Sequence, residues 1–312
     1  MILCVGGTPA MQRTLLFGRL DVGEVNRARE VRVTASGKVT NAARAVTVLG
    51  GRALLLTFLG GDPGRFVARE LEAAGVPHEP VWVDDAPTRV CASLVEESGR
   101  VTELVEEGGA VPGEKAADLE GLALEKLREA GALCLIGSLP PGVPEDLYAA
   151  LAKAARDAGV PTLVDAQKGL LRAALEERPF LVKPNLEETA NTLDLPLSDY
   201  GEADARTAVS ALREAGAEWA LVSTGRAGSV LAGPDGEWRV EPPRVEAVNP
   251  IGSGDVMAAG LLQALTSGAP VHDAAVYGTA CAAANVLTPT SGEIYPDDID
   301  ELLPRVRLTR LG

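Results

Sequence analysis

At 312 residues the chain can bury one large core, and about 250–300 residues is where a single α/β core stops growing, so one main domain over 1–312 with at most a small appendage is expected. Hydrophobic residues make up 46% and aromatics only 4%, with abundant Ala, Leu and Val, which suits helices packed on a sheet better than an aromatic-lined sandwich. The formal charge of −15, from 44 acidic and 29 basic side chains, repels nucleic-acid phosphates and anionic membranes, although a few converging Lys and Arg can still bind a small anion.

Short apolar runs ending in Gly, Pro or Asp alternate with longer Ala/Leu/Glu segments of helical period, the pattern of repeated βα units around a mostly parallel sheet flanked by helices. In chain order the spacing predicts strands at 1–5, 53–58, 132–136, 162–165, 180–183, 220–223 and 229–232. Helices are predicted at 41–49, 65–74, 144–158, 170–176, 185–193, 204–215, 255–266 and 272–287. Two segments break the alternation. Residues 13–34 and 88–106 have strand-like periodicity with no helix inside, and the second carries a turn, Glu97-Ser98-Gly99-Arg100, that predicts a β-hairpin. Together they predict a small β-sheet formed by about 12–36 and 88–107, which is either a lid over a cleft or a plain edge extension.

The four cysteines, Cys4, Cys91, Cys134 and Cys281, are far apart and without a Cys-x-x-Cys pair, and read as buried thiols. The N-terminal apolar run has no basic flank and no segment reaches the ~18 residues needed to span a bilayer, so the expected location is cytoplasmic, with no membrane partner. The two histidines, His78 and His272, lack a second His or a Cys at metal-ligand spacing.

The sharpest motif is Asn249-Pro250-Ile251-Gly252-Ser253-Gly254-Asp255 ahead of an apolar helix. Gly252 and Gly254 let a ligand approach the backbone, and the helix start directs free N–H groups at an anion such as a transferring phosphoryl group. Asp255 is then either a proton acceptor for a hydroxyl or a plain helix cap. Lys183-Pro184-Asn185-Leu186-Glu187-Glu188 closes a strand and opens a helix. Asn185 and Glu188, three apart, could hold a hydrated Mg²⁺ while Lys183 offsets phosphate charge, but a capping box needs the same spacing. Ser138 in Gly137-Ser138-Leu139-Pro140-Pro141-Gly142 follows a strand where open α/β sheets bind ligands, or lies in a rigid turn. Val222-Ser223-Thr224-Gly225-Arg226-Ala227-Gly228 has glycines against which a nucleotide could lie. Arg27, Lys38 and Arg89 are the basic groups near the small sheet, suited to phosphate or to solvent. A dinucleotide fingerprint and a Walker loop both fail on spacing, since Met257 stands where a Gly is needed and Gly37-Lys38 is followed by Val39.

In this order, the Gly-Ser-Leu-Pro-Pro-Gly, Lys-Pro-Asn and Gly-Ser-Gly-Asp segments resemble the PfkB carbohydrate kinases of the ribokinase-like fold, in particular the 1-phosphofructokinase and tagatose-6-phosphate kinase branch, over nearly the whole chain. The resemblance implies an ATP- and Mg²⁺-dependent kinase in which Asp255 is the base, Gly252, Ser253 and Gly254 form the anion hole, and Asn185 and Glu188 organise Mg·ATP through water. It assigns Lys183, Ser223, Gly225, Gly228 and Asn285 to the nucleotide. Gln12, Gly37, Lys38, Asn41, Arg89, Ser138 and Asp255 fall to the sugar phosphate, with Arg89 on the phosphate it already carries. It also implies a homodimer through the lid.

The departures lie at the sugar end. Gln12 stands where the family pattern has Asp, Val39 where it has Gly, and Asp165-Ala166-Gln167-Lys168 replaces Asp-Thr-Ser-Gly. The expected reaction is phosphoryl transfer to a phosphorylated ketohexose, 1-phosphofructokinase-like. The alternatives are a tagatose-6-phosphate or 6-phosphofructokinase, a kinase of an unphosphorylated sugar or nucleoside, and a catalytically idle sugar or nucleotide sensor.

Overall fold

The first strands of the chain already divide between two sheets. In the computed structural model, which describes residues 1–198 and 200–311, β1 (Ile2–Val5) enters a large sheet, whereas β2 (Ala10–Phe17) and β3 (Glu30–Ser36) form part of a small one. The chain continues through α1 (Lys38–Val48), β4 (Ala53–Leu59), α2 (Gly61–Ala73), β5 (His78–Trp82), β6 (Arg89–Glu96), β7 (Val101–Leu104) and α3 (Gly113–Leu127). Then follow β8 (Ala132–Ile136), α4 (Leu147–Asp157), β9 (Thr162–Asp165), α5 (Lys168–Glu176), β10 (Leu181–Val182), α6 (Leu186–Leu193), α7 (Glu202–Glu214) and β11 (Trp219–Ser223). The last elements are β12 (Ser229–Gly233), β13 (Gly236–Glu241), α8 (Ser253–Thr266), α9 (Val271–Asn285), α10 (Pro296–Leu302) and β14 (Arg307–Leu311).

Among the described residues the large sheet has the order β14-β13-β12-β11-β10-β9-β8-β1-β4-β5, parallel from β5 to β11 and antiparallel beyond it. Strands β1, β4, β8 and β9 are buried at every position, because helices cover both faces and leave no polar side to the strand. One face packs on Ala42 and Val46 of α1, Ala258 and Leu261 of α8, and Ala274 of α9. The other packs on Leu119 of α3, Tyr148 and Leu151 of α4, Leu171 of α5 and Val209 of α7. Both α8 and α9 are apolar nearly all round, as helices enclosed by protein must be.

The small sheet has the order β3-β2-β6-β7, with β2 and β6 parallel and the outer pairs antiparallel. The expected hairpin is present, with Glu97 to Arg100 as its turn and Gly99 at φ 79°.

Every expected strand and helix recurs within a few residues, and two shifts matter to the site. Helix α1 begins at Lys38 rather than 41, and α8 at Ser253 rather than 255, so Lys38 and Asp255 both occupy first turns. Five elements were not expected: β5, α3, β13, α10 and β14. Helix α3 buries only Ala116, Leu119, Ala123 and Leu127, a stripe half made of alanine and faint to a periodicity count. Strand β14 lies at a sheet edge with no buried position, so it lacks the apolar alternation that marks a strand. The four cysteines are buried and unpaired. No helix among the described residues is long and apolar enough to cross a membrane.

Candidate functional site

The carboxyl ends of β9, β10 and β11 open onto the first turns of α1, α6 and α8, and a cavity of about 480 Å³ lies between them. Lys38, Asp165, Lys183, Asn185, Glu188, Ser223, Gly225, Gly252, Ser253, Gly254 and Asp255 all line it. This is where an open α/β sheet is built to hold a ligand, since the strand ends and the helix starts leave free backbone polar groups facing one crevice.

Asp255 is 6% exposed. Its Oδ2 accepts a hydrogen bond of 2.8 Å from Asn41 Nδ2, which also donates to Ser291 Oγ at 3.0 Å. The Asn41 amide is itself oriented by Ser36, whose Oγ donates to Asn41 Oδ1 at 3.1 Å. Burial pushes the Asp255 carboxyl up to about 6, against the Lys38 charge and the Asn41 hydrogen bond, which favour the ionised form. The turn ahead of it depends on Gly252, at φ 84°. A Cβ there would come within 2.4 Å of Ser291 Oγ and 2.8 Å of the Gly292 nitrogen, so both the conformation and the space require glycine.

Two lysines and a carboxylate form the floor of the cavity. Lys183 Nζ lies 2.7 Å from Asp165 Oδ2, both side chains being 3% exposed, and Lys38 Nζ lies 3.3 Å from Asp165 Oδ1 and 3.2 Å from Glu188 Oε1. Burial alone would raise the Asp165 carboxyl, but the two ammoniums outweigh it and hold it below the ordinary carboxylate range. The Lys38 ammonium is pushed well up by Asp165 and, after the opposing cost of burial, by Glu188 and Asp255. Lys183 Nζ would lie 3.5 Å from a Cβ built on Gly254, so its charge stands directly beside the glycine loop. Two cations thus meet a helix start, an arrangement that neutralises a polyanion such as a phosphoryl chain.

Asn185 and Glu188 make the capping box: the Glu188 N–H donates to Asn185 Oδ1 at 2.8 Å and the Asn185 N–H to Glu188 Oε2 at 2.9 Å. Both nonetheless line the cavity, so the cap and a ligand-facing position coexist. Among the described residues no group of three or more His, Cys, Asp or Glu could form a metal cage. The donor set present fits a hydrated Mg²⁺ carried on a nucleotide's phosphates, whose water shell Asn185 and Glu188 would hold.

Ser223 and Gly225 line the cavity, but Gly228 faces β13, where a Cβ would meet the Val240 carbonyl at 2.3 Å. Asn285 also lies outside the lining. Its Nδ2 donates to the Ile251 carbonyl at 3.1 Å and its Oδ1 accepts from the Gly292 N–H at 2.8 Å, so it ties the loop before Gly252 to the loop carrying Ser291. Asp165 and Tyr200 line the cavity without having been assigned to it from the sequence. The terminal Asp of strand β9 was a signal for the first; an isolated Tyr beyond a helix gave none for the second.

Ser138, Arg89, Gly37, Gln12 and Asn41 lie outside the lining of this cavity: the Ser138 and Thr8 hydroxyls lie 3.1 Å apart, and Arg89 Nη2 donates to the Thr8 carbonyl at 3.0 Å, Thr8 and Arg89 lining a second, smaller cavity. Arg89 Nε is buried with no hydrogen-bond partner. Gly37, at φ 100°, caps α1 next to Lys38. Gln12 is 5% exposed on β2, and its Nε2 donates to Ser93 Oγ at 2.9 Å. Ser36, at the end of β3, is joined to Asp255 through Asn41 by two hydrogen bonds. Arg27 is exposed in the segment between β2 and β3 and does not line the cavity.

A family model described as pfkB family carbohydrate kinase matches residues 1–298. Among solved structures, phosphofructokinase-2 from Escherichia coli in complex with substrates and products is 27% identical, with a TM-score of 0.89 over 97% of this chain and 98% of that one. A possible 1-phosphofructokinase from Thermotoga maritima is 22% identical with a TM-score of 0.90 over 100% and 99% of the two chains. A carbohydrate kinase from Agrobacterium tumefaciens is 24% identical with a TM-score of 0.73 over 99% of each. The last two likenesses speak to the fold alone.

Proposed function

Since the chain belongs to the pfkB family of carbohydrate kinases, phosphotransferases with a hydroxyl acceptor, we propose that it transfers the γ-phosphoryl group of ATP, with Mg²⁺, to a hydroxyl of a phosphorylated ketohexose, in the manner of a 1-phosphofructokinase. The observation that carries this reading is the buried Asp255 carboxylate on the first turn of α8, held by Asn41 and flanked by Lys38 and Lys183 around one cavity.

In this reading Asp255 accepts the proton of the attacking hydroxyl, and the Gly252-Ser253-Gly254 turn takes the charge on the transferring group. Lys183 and Lys38 offset the charge of the phosphate chain, while Ser223 and Gly225 line the nucleotide end. Mg²⁺ supplies further neutralisation of the β- and γ-phosphates. Because phosphoryl transfer needs positioning and charge neutralisation more than a strong base, a carboxyl at about 6 is sufficient. Asn41, Gly37 and Ser138 border the acceptor sugar, and Gln12 contacts its hydroxyls. Arg89, whose buried Nε has no protein partner, binds the phosphate the sugar already carries. The phosphofructokinase-2 likeness supports a phosphorylated ketohexose over a free sugar.

The small sheet is the lid over this end. A homodimer through it is part of this reading, and the exposure of Val22, at 94%, and Val25, at 78%, between β2 and β3 supports it. Light scattering on Val25→Asp would show a monomer.

The experiment that tests the reaction is an ATP-consumption screen across fructose 1-phosphate, fructose 6-phosphate, tagatose 6-phosphate and the free sugars. Turnover with a ketohexose phosphate and its loss in Asp255→Ala, which still binds ATP, is expected. Turnover with free sugars alone would move the assignment to an unphosphorylated acceptor, and tight binding without turnover to a sensor.

A further inference from the structure

We propose that Glu103 and Ser93 fix which end of the Gln12 amide faces the acceptor sugar, so that Gln12 presents its oxygen and selects a hydroxyl that donates. The inference rests on the acceptor site proposed above and concerns two residues not so far given any part in it.

The face of the small sheet follows from its register. Ser36 lies opposite Ala10, and Thr34 opposite Gln12, so Gln12, Ala10, Thr34 and Ser36 share one side. Ser36 sends its side chain from that side to Asn41, which holds Asp255. Gln12 therefore stands on the side turned towards Asp255, two residues, or about 7 Å, further along the strand. Across β6, Cys91 lies opposite Gln12 and Ser93 is the next residue on the same side, and across β7 Glu103 lies opposite Ser93.

Ser93 is 0% exposed, so solvent does not complete its hydrogen bonds. It has two partners, Gln12 Nε2 at 2.9 Å and Glu103 Oε1 at 3.3 Å. A hydroxyl carries one proton, and an ionised carboxylate can only accept. The Glu103 carboxyl sits above its ordinary value, because burial outweighs the hydrogen bond from Ser93 and the charge of Arg89, which favour its ionised form. With Glu103 ionised, the Ser93 proton goes to Glu103, and Ser93 can only accept from its other neighbour. That neighbour must be the Gln12 NH₂ group, which turns Gln12 Oε1 away from Ser93. Oε1 accepts no hydrogen bond among the described residues and is not sealed from solvent, so it is free for a ligand. A neutral amide that could both donate and accept is thereby restricted at its free end to accepting.

Gln12 touches the sugar in this account, while Ser93 and Glu103 are positioning residues that act through it. Ser93→Ala keeps every charge and removes the relay. Steady-state kinetics on Ser93→Ala, Gln12→Ala and the double variant, with the sugar phosphate varied at saturating ATP, separate the roles. Loss of one hydrogen bond made equally in ground and transition states raises the sugar KM about five- to tenfold, with kcat moving less and the ATP KM unaffected. The double variant is expected to match Gln12→Ala alone, because Ser93 has nothing to orient once the amide is gone. Glu103→Gln also removes a negative charge near Arg89, so a smaller rise, or none, is expected there. A sugar KM within twofold of wild type in Ser93→Ala, or additive losses in the double variant, would overturn the relay. Equal rises in the sugar and ATP KM would show a general structural loss and overturn it as well. Wild-type enzyme that turns over no sugar phosphate would overturn the functional reading, and this inference with it; active wild type with unaffected variants overturns this inference alone.

Discussion

The Asp255 cavity and the region around Gln12 and Arg89 are built on opposite principles. The Asp255 end rests on parallel strands buried from both faces and is held by charge: Asp165 between Lys38 and Lys183, with Glu188 on the far side of Lys38. The Gln12 end rests on a four-stranded sheet and on separate hydrogen bonds, Gln12 to Ser93 on the sheet and, beside it, Thr8 with Ser138 and Arg89 to the Thr8 carbonyl. In the proposed reaction the phosphoryl chain is the same for every acceptor, so its end tolerates a fixed, costly charge array. An acceptor sugar varies, and a sheet of exchangeable polar side chains can be retuned without disturbing that array. The contrast predicts that damage at the first end falls on kcat and stability, and damage at the second on the KM of the sugar.

The largest effect is expected from Asp255→Asn. Loss of a positioned base costs about 10²–10⁴ in kcat. The same variant is expected to melt higher at neutral pH. The folded carboxyl, near 6, lies above its ordinary 3.8, so ionising Asp255 disfavours the fold and stability from this group falls as pH rises from 3.8 through about 6. A kcat loss with unchanged or lowered Tm would break the link between burial and reactivity. Next, Lys183→Met removes one cation from Asp165, where both side chains are 3% exposed. Breaking a buried pair costs roughly 3–5 kcal/mol, towards the lower end here because Lys38 still faces Asp165, and denaturant unfolding measures it.

Arg89→Gln is expected to raise the sugar-phosphate KM about 10- to 100-fold, the value of a hydrogen bond to a charged group, with kcat and Tm little changed. A fall in kcat of the same size would erase the division between the two ends. The mildest test is the pH profile: kcat/KM for wild type should decline below an apparent pKa near 6, as Asp255 takes up its proton, and Asp255→Asn should lose that limb.

Legibility in the sequence follows the same division. The Gly-Ser-Gly-Asp loop and the Lys-Pro-Asn turn are local, each a strand end or helix start that packs its signal into a few residues, and the structure brings Asp255, Lys183, Asn185 and Glu188 to one cavity. Asp165 was visible as the Asp that ends strand β9, kept where Ala166, Gln167 and Lys168 depart from the family pattern, but its pairing with Lys38, 127 residues earlier, is invisible to spacing. Ser93 and Glu103 were hidden for the same reason, with Gln12 and Ser93 81 residues apart. Asn285 illustrates the reverse case. The resemblance alone placed it at the nucleotide, and in the structure both ends of its amide bond the loops around Gly252 and Ser291.

The central claim, that Asp255 serves transfer of phosphate from ATP to a sugar phosphate, is tested most directly by following fructose 1-phosphate, ATP and Mg²⁺ by ³¹P NMR with wild-type and Asp255→Asn protein. The account predicts a bisphosphate and ADP in equal amounts with wild type and neither on the same timescale with the variant. A bisphosphate formed equally fast by the variant would contradict it.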